Sequence, residues 1–195
     1  MKQQISFQQY RAIDLGIMAI LLAVSQLLIQ FAVSVWFPEQ LYVVSPVAVV
    51  VTLVMMRWGL WAAIHALLGG ILFAVLAGGG THHILIYGGG NLLAMAALLM
   101  FKFFDKERVR QSAFLSLVLA LCVQLLMQVG RSCVALAMGT EPAVCLGFIT
   151  TDSLSDIFTL FVIWIARRVE GLFEDQKHYL LRIQRERQAE GRGQF

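Results

Sequence analysis

From Trp58 to Phe101 the chain runs through 44 residues without an Asp, Glu, Lys or Arg. Uncharged runs of this length are read as membrane-embedded. A helix needs about 20 apolar residues to cross a bilayer. The run is therefore long enough for two crossings, and "GGGTHH" at 78–83 interrupts it in the middle. Residues 15–38, 40–56 and 111–130 are also free of charge. In hydrocarbon every backbone polar group has to be paired within the protein, which leaves helices as the spanning element for runs of this kind.

The sequence predicts an all-α integral membrane protein with six transmembrane helices. They are expected over residues 12–36, 45–56, 58–77, 82–101, 112–138 and 143–168, with 1–170 as one transmembrane domain. Residues 171–195 read as a cytoplasmic amphipathic tail, since Leu172, Phe173, Gln176, Tyr179, Leu180 and Ile183 recur at helical spacing. The second helix is short for a full crossing and is expected to be tilted or shielded by its neighbours. Fourteen of the 15 Lys and Arg residues fall at five places that a six-helix path puts on one side. The opposite loops carry only Glu39 and Glu141. By the excess of basic residues in cytoplasmic loops, both termini are expected in the cytoplasm. The polar start "MKQQISFQQYRAIDL" and the long apolar stretch behind it read as a retained first helix. The net charge of +3 follows from the loops and tail, and nucleic-acid binding is not expected. Cys122, Cys133 and Cys145 have no metal-ligand spacing and read as small buried residues, with a Cys133–Cys145 disulfide left open.

The remaining basic residue is Arg131, in "QLLMQVGRSCVAL". An ionisable residue inside a membrane span is costly and marks a functional site by default. Depth follows from helix rise. Arg131 lies about 12 Å in from the outer end near Gly139, Asp152 about 15 Å in from Pro142, and Asn91 about 15 Å in from Thr81. Gln128 and Gln124 share the face of Arg131, and Asp156 lies one turn beyond Asp152. His83, Tyr87 and Asn91, each four apart, form a stripe beside Gly88, Gly89 and Gly90. That stripe reads as a ligand wall or as tight helix packing. Arg131, Asp152, Asn91, Gln128, His83, Tyr87, Asp156 and Thr151 are the candidate site, with Trp36 and Tyr42 above it on the first outer loop. An arginine suits a carboxylate or phosphate on a small ligand. A structural salt bridge from Arg131 to Asp152 or Asp156 is the plainer alternative. On the first helix, Gly16, Ala19 and Ala23 allow close approach of another helix. His65 reads as a hydrogen-bond partner of a neighbouring helix.

Six helices, both ends inside, a short second helix, Ala-x-x-x-Ala at Ala19 and Ala23, and a polar pocket in the outer half resemble the S component of energy-coupling factor transporters. The resemblance covers residues 10–170 and rests on architecture more than on a motif. It implies a multi-pass protein of the bacterial plasma membrane that captures a small water-soluble vitamin or related micronutrient from outside. It implies a transmembrane coupling subunit as partner, docked on Ala19 and Ala23, and two ATP-binding-cassette ATPases reached through that subunit. No Walker A pattern is present, and neither an enzyme activity, a cofactor nor a bound metal is expected of this chain. "MKQQ" lacks the metal-binding start of the cobalt and nickel members. The competing readings are a structural membrane scaffold subunit without ligand and an intramembrane hydrolase. The hydrolase is disfavoured because no Gly-x-Ser-x-Gly is present.

Overall fold

The computed structural model describes residues 6–36, 44–150 and 152–183. These residues form helices and turns, with no strand among them. The helices are α1 (Phe7–Trp36), α2 (Val47–Trp58), α3 (Ala62–Leu76), α4 (Thr81–Phe103), α5 (Lys106–Gln111), α6 (Ala113–Ala137), α7 (Pro142–Thr150) and α8 (Ser153–Ala166). A ninth helix, α9, covers 176–183. Five helical stretches are long and apolar enough to cross a bilayer: Phe7–Trp36, Val47–Leu76, Thr81–Phe103, Ala113–Ala137 and Pro142–Ala166.

Local chemistry starts these helices. Ser6 and Gln9 form a reciprocal cap on α1, the Gln9 amide N–H donating to Ser6 Oγ at 3.2 Å and the Ser6 N–H to Gln9 Oε1 at 3.0 Å. The Ser112 hydroxyl accepts from the Leu115 amide and opens α6.

The stretch Val47–Leu76 is not straight. Gly59 has φ +62, a conformation that disfavours any side chain, and the chain reverses there through a short tight turn to Trp61. After the reversal Gly69 of α3 lies against Val47 of α2, where a methyl group would meet both γ-carbons of that valine. The two helices thus form an antiparallel hairpin. Every residue of α2 from Val47 to Arg57 is buried. A helix apolar on all sides belongs in a protein interior. This explains why twelve residues suffice for α2: it is sheathed by protein and has no lipid thickness to match.

α6 is the hub, packing against α2, α4, α7 and α8. The main core gathers Met18 and Leu22 of α1, nearly all of α2, Ala62 and Ala66 of α3, and Leu119, Val123 and Met127 of α6. α1 sits outermost. Asp14, Met18, Leu22 and Gln26 make its inward seam, while Ile17, Ile20, Leu28 and Phe31 are more than half exposed. Exposed apolar side chains in such number are expected of a surface that faces lipid.

Past Ala166 the chain turns back on the bundle. Phe173 is 1% exposed and belongs to the main core, and Glu174 and Gln176 are buried beside it. Residues 171–176, which the sequence assigns to a separate tail, are therefore packed into the helical body.

Candidate functional site

The site begins with two glycines. A methyl group on Gly130 would strike the Gly90 carbonyl, and one on Gly90 would strike the backbone of Gly130 and Arg131. The backbones of α4 and α6 touch at this point, and the contact sets Asn91 beside Arg131. Arg131 Nε donates to Asn91 Oδ1 at 2.8 Å, and Asn91 Nδ2 donates to the Ala66 carbonyl of α3 at 3.1 Å. Asn91 is fully buried and spends both ends of its amide holding the guanidinium and a neighbouring helix.

Two further groups complete the seat. The Tyr87 ring lies under the guanidinium, 5.1 Å from centroid to Cζ, and is itself packed against Phe73 and Phe148. Asp152, at the junction of α7 and α8, accepts from Arg131 Nη1 at 3.4 Å and from Gln124 Nε2 at 3.1 Å. One turn on, Gln128 Nε2 donates to Asp156 Oδ1 at 3.0 Å. Ser132 Oγ donates to the Gln128 and Cys145 carbonyls, which fixes α7 to α6.

The depth estimate brings Arg131, Asn91, Gln128 and Asp152 to one level with Asp156 a turn beyond, and the structure joins them by hydrogen bonds in two sets, Arg131 with Asn91 and Asp152, and Gln128 with Asp156. Tyr87 belongs to the same group. His83 does not: it is exposed, and its ring neighbour is His82 at 6.2 Å. Trp36 is 72% exposed at the end of α1. Tyr42 and Thr151 lie outside the described residues. Gly90 and Gly88 serve helix packing, Gly88 against Ile71 and Leu67 of α3, whereas Gly89 faces open space. Ala19 and Ala23 are half-buried on the flank of the α1 seam, and Gly16 has nothing near it. His65 Nε2 lies 3.0 Å from the Leu15 carbonyl, bonding α3 to α1. Cys122, Cys133 and Cys145 are free thiols.

The cluster has unused capacity. A guanidinium offers five N–H donors. Protein acceptors take Nε and, at the longer distance, Nη1. Gln128 Oε1 is buried without a hydrogen-bond partner. Sequence reasoning missed Gln26, which is fully buried and whose amide nitrogen and oxygen are both unpartnered. It sits about 15 Å from the Trp36 end of α1, the depth of the Arg131 group. The signal was available, since 14, 18, 22 and 26 fall on one helical face and carry two polar residues on an apolar helix.

A second buried charge pair was also missed. Asp14 of α1 takes Arg57 of α2 in a two-point grip, Nη2 to Oδ1 at 2.5 Å and Nε to Oδ2 at 2.9 Å. Trp58 Nε1 donates to the same carboxylate, and Arg57 Nη1 donates to the Gly171 and Leu172 carbonyls. Tyr10 donates to Gln176 at 2.8 Å, and Lys106 binds Asp175 at 2.6 Å. One end of the bundle is therefore a charged platform that ties α1, α2, α5 and the 171–176 segment together.

Among the described residues, no group of three or more His, Cys, Asp or Glu side chains is arranged to hold a metal ion. No family model, no curated protein and no solved structure matches the chain.

Proposed function

We propose that the chain is the substrate-binding membrane subunit of an energy-coupling-factor type importer. In this reading six helices cross a bacterial plasma membrane, with the charged platform and both termini on the cytoplasmic side. The subunit captures a small water-soluble vitamin or related micronutrient, one bearing an anionic group, and passes it inward with a transmembrane coupling protein and two ATP-binding-cassette ATPases. The observation that carries the proposal is Arg131: a charge held in an apolar helix by Asn91, Tyr87 and Asp152, with guanidinium donors to spare and the unpartnered Gln128 Oε1 close in sequence on its face. Such a group suits a carboxylate or phosphate.

A second reading has its own support. Arg131 is 5% exposed and already enclosed. A membrane scaffold subunit without ligand would hold its arginine in that way.

Native mass spectrometry of the full chain, purified from cells grown in rich medium, separates the two. The transporter reading expects a retained small molecule that is lost from Arg131→Gln while the variant, though less stable, still melts cooperatively. An empty wild-type protein would support the scaffold. Crossing number is tested by impermeant thiol labelling of intact cells, in a background with the three native cysteines replaced. Gly80, which has open space around it, and Lys102 are each changed to Cys. The six-helix path expects labelling at 80 and protection at 102. The reverse pattern would invert the orientation.

A further inference from the structure

At the charged end, away from the Arg131 group, a cleft of about 210 Å³ opens between the turn that follows α8, Arg110 of α5 and Arg182 of α9. A water molecule occupies about 30 Å³ of liquid, so the cleft has room for a compact polar group with its hydration. Its wall carries four arginines, Arg110, Arg167, Arg168 and Arg182, against two carboxylates, Glu170 and Glu174.

The arginines divide into two kinds. Arg110 is gripped by Glu107 at 2.5 and 3.0 Å and reaches Glu174 at 3.6 Å. Arg182 pairs with Glu174 at 3.1 Å and Glu170 at 3.3 Å. Both are committed to carboxylates. The adjacent Arg167 and Arg168 are not. Nε and Nη1 of Arg167 are buried and have no acceptor. Arg168 is exposed, and its guanidinium lies over the Trp164 ring at 4.1 Å, a contact that orients it. A buried guanidinium N–H without an acceptor is rare in a folded protein, and these two nitrogens have no surface open to the cleft, so a ligand there meets them only after the Arg167 side chain turns. The position also matters. Arg167 directly follows α8, whose last turns are apolar, so the cleft lies at the depth where a helix leaves hydrocarbon.

We propose that this cleft binds a phosphate group through Arg167 and Arg168. A phosphate has enough oxygens to accept from two forked guanidinium groups at once, with Arg110 and Arg182 held in place behind it by their glutamates. The phosphate belongs either to an anionic lipid headgroup or to a soluble phosphate compound. The site is independent of the substrate reading of Arg131, and neither stands or falls with the other.

The test is calorimetric titration of the full chain in phosphatidylcholine nanodiscs, at fixed ionic strength, with inorganic phosphate in one arm and dioctanoyl phosphatidic acid in the other. At least one probe is expected to bind one-to-one. Arg167→Gln is expected to weaken it tenfold or more, Arg167→Lys less, and Lys102→Gln, a charge change outside the cleft, not at all. Binding of both probes identifies a site open to soluble phosphate, and binding of the lipid alone identifies a headgroup site. Because Arg167 is partly packed, Arg168→Gln is a second variant at an exposed position and is expected to weaken binding at least threefold. The proposal is overturned if neither probe binds the wild type, if binding survives both substitutions, or if Lys102→Gln weakens it equally.

Discussion

At the scale of single residues, Arg131 shows how an apolar helix tolerates a buried cation. Asn91, Asp152 and Tyr87 share the guanidinium, and each comes from a different stretch of chain or a different turn. Removing one member of a buried ion pair costs about 3–5 kcal/mol, because the other charge is left stranded, whereas replacing both by apolar residues is often neutral. Arg131→Met and Asp152→Leu are each expected to destabilise the protein by about 2–4 kcal/mol, less than the upper figure because Gln124 and Asn91 remain. The double variant is expected to recover most of that loss in thermal melts in detergent. An additive double variant would show that the two side chains are not coupled. Asn91 and Asp152 were legible from depth alone, since polar residues on separate helices had to meet at one level, while Tyr87 was legible only from its spacing of four from Asn91. His83 was not. Its spacing of four from Tyr87 predicted a shared face, but α4 widens to a π-helical turn at Leu85–Gly89 and then tightens over Leu92–Leu99. A wide turn shifts the phase of the helix by about one residue. The regular period places His83 and Asn91 on one stripe, and the turn leaves His83 exposed while Asn91 is buried.

At the scale of elements, glycine decides which helices touch. The sequence showed where small residues lie but not which neighbour each one admits. Gly130 and Gly90 bring the α4 and α6 backbones together, and Gly69 admits Val47 in the α2–α3 hairpin. Gly89, in the same triplet as Gly90, faces open space. The two behaviours make a paired prediction. Gly130→Ala pushes a methyl group into the Gly90 carbonyl and is expected to cost about 1–3 kcal/mol, the usual range for overpacking. Since the same contact seats Asn91, it is also expected to loosen Arg131. Gly89→Ala meets nothing and is expected to be neutral or stabilising by up to about 1 kcal/mol, as helix propensity favours alanine. Thermal melts of the two variants check this, and equal losses would overturn the assignment of the contact. The short second helix was legible as an anomaly, twelve apolar residues where about 20 are needed to cross. Its explanation, burial on every side, required the arrangement of neighbours that no local pattern encodes.

At the scale of the whole molecule the charges are polarised. Basic residues from three separated parts of the sequence, Arg57, Lys106 with Arg110, and Arg182, converge on one end, where Asp14, Glu107, Glu174 and Asp175 meet them. The sequence distribution of Lys and Arg foretold that they share a side; it did not foretell that acids would knit the 171–176 segment to the bundle, because ion pairs across long separations leave no periodic trace. This arrangement predicts an acid-triggered release. The Arg110 hydrogen bond holds the Glu107 carboxyl below its ordinary value. Burial pushes the Asp175 carboxyl up, but Lys106 at 2.6 Å outweighs it, and the group ends below its ordinary 3.8. A carboxyl depressed in the folded state contributes stability that is complete above its unfolded pKa and is lost as pH falls through the folded value. The segment from Arg167 to α9 is therefore expected to stay docked through neutral and mildly acidic pH, and to loosen as pH drops below about 4. The apolar packing of α2 against α6 has no carboxylate to lose and is expected to persist at that pH. Hydrogen exchange measured at pH 7 and pH 3, corrected for intrinsic rates, checks this: protection at 171–183 falls at the lower pH while α2 and α6 keep theirs. Lys106→Met removes the main charge that depresses Asp175, so its segment is expected to exchange faster at pH 7 and to show a smaller change on acidification. If protection at 171–183 is the same at both pH values, the segment is held by Phe173 and the apolar contacts around it, and the ion pairs are ornament on a hydrophobic dock.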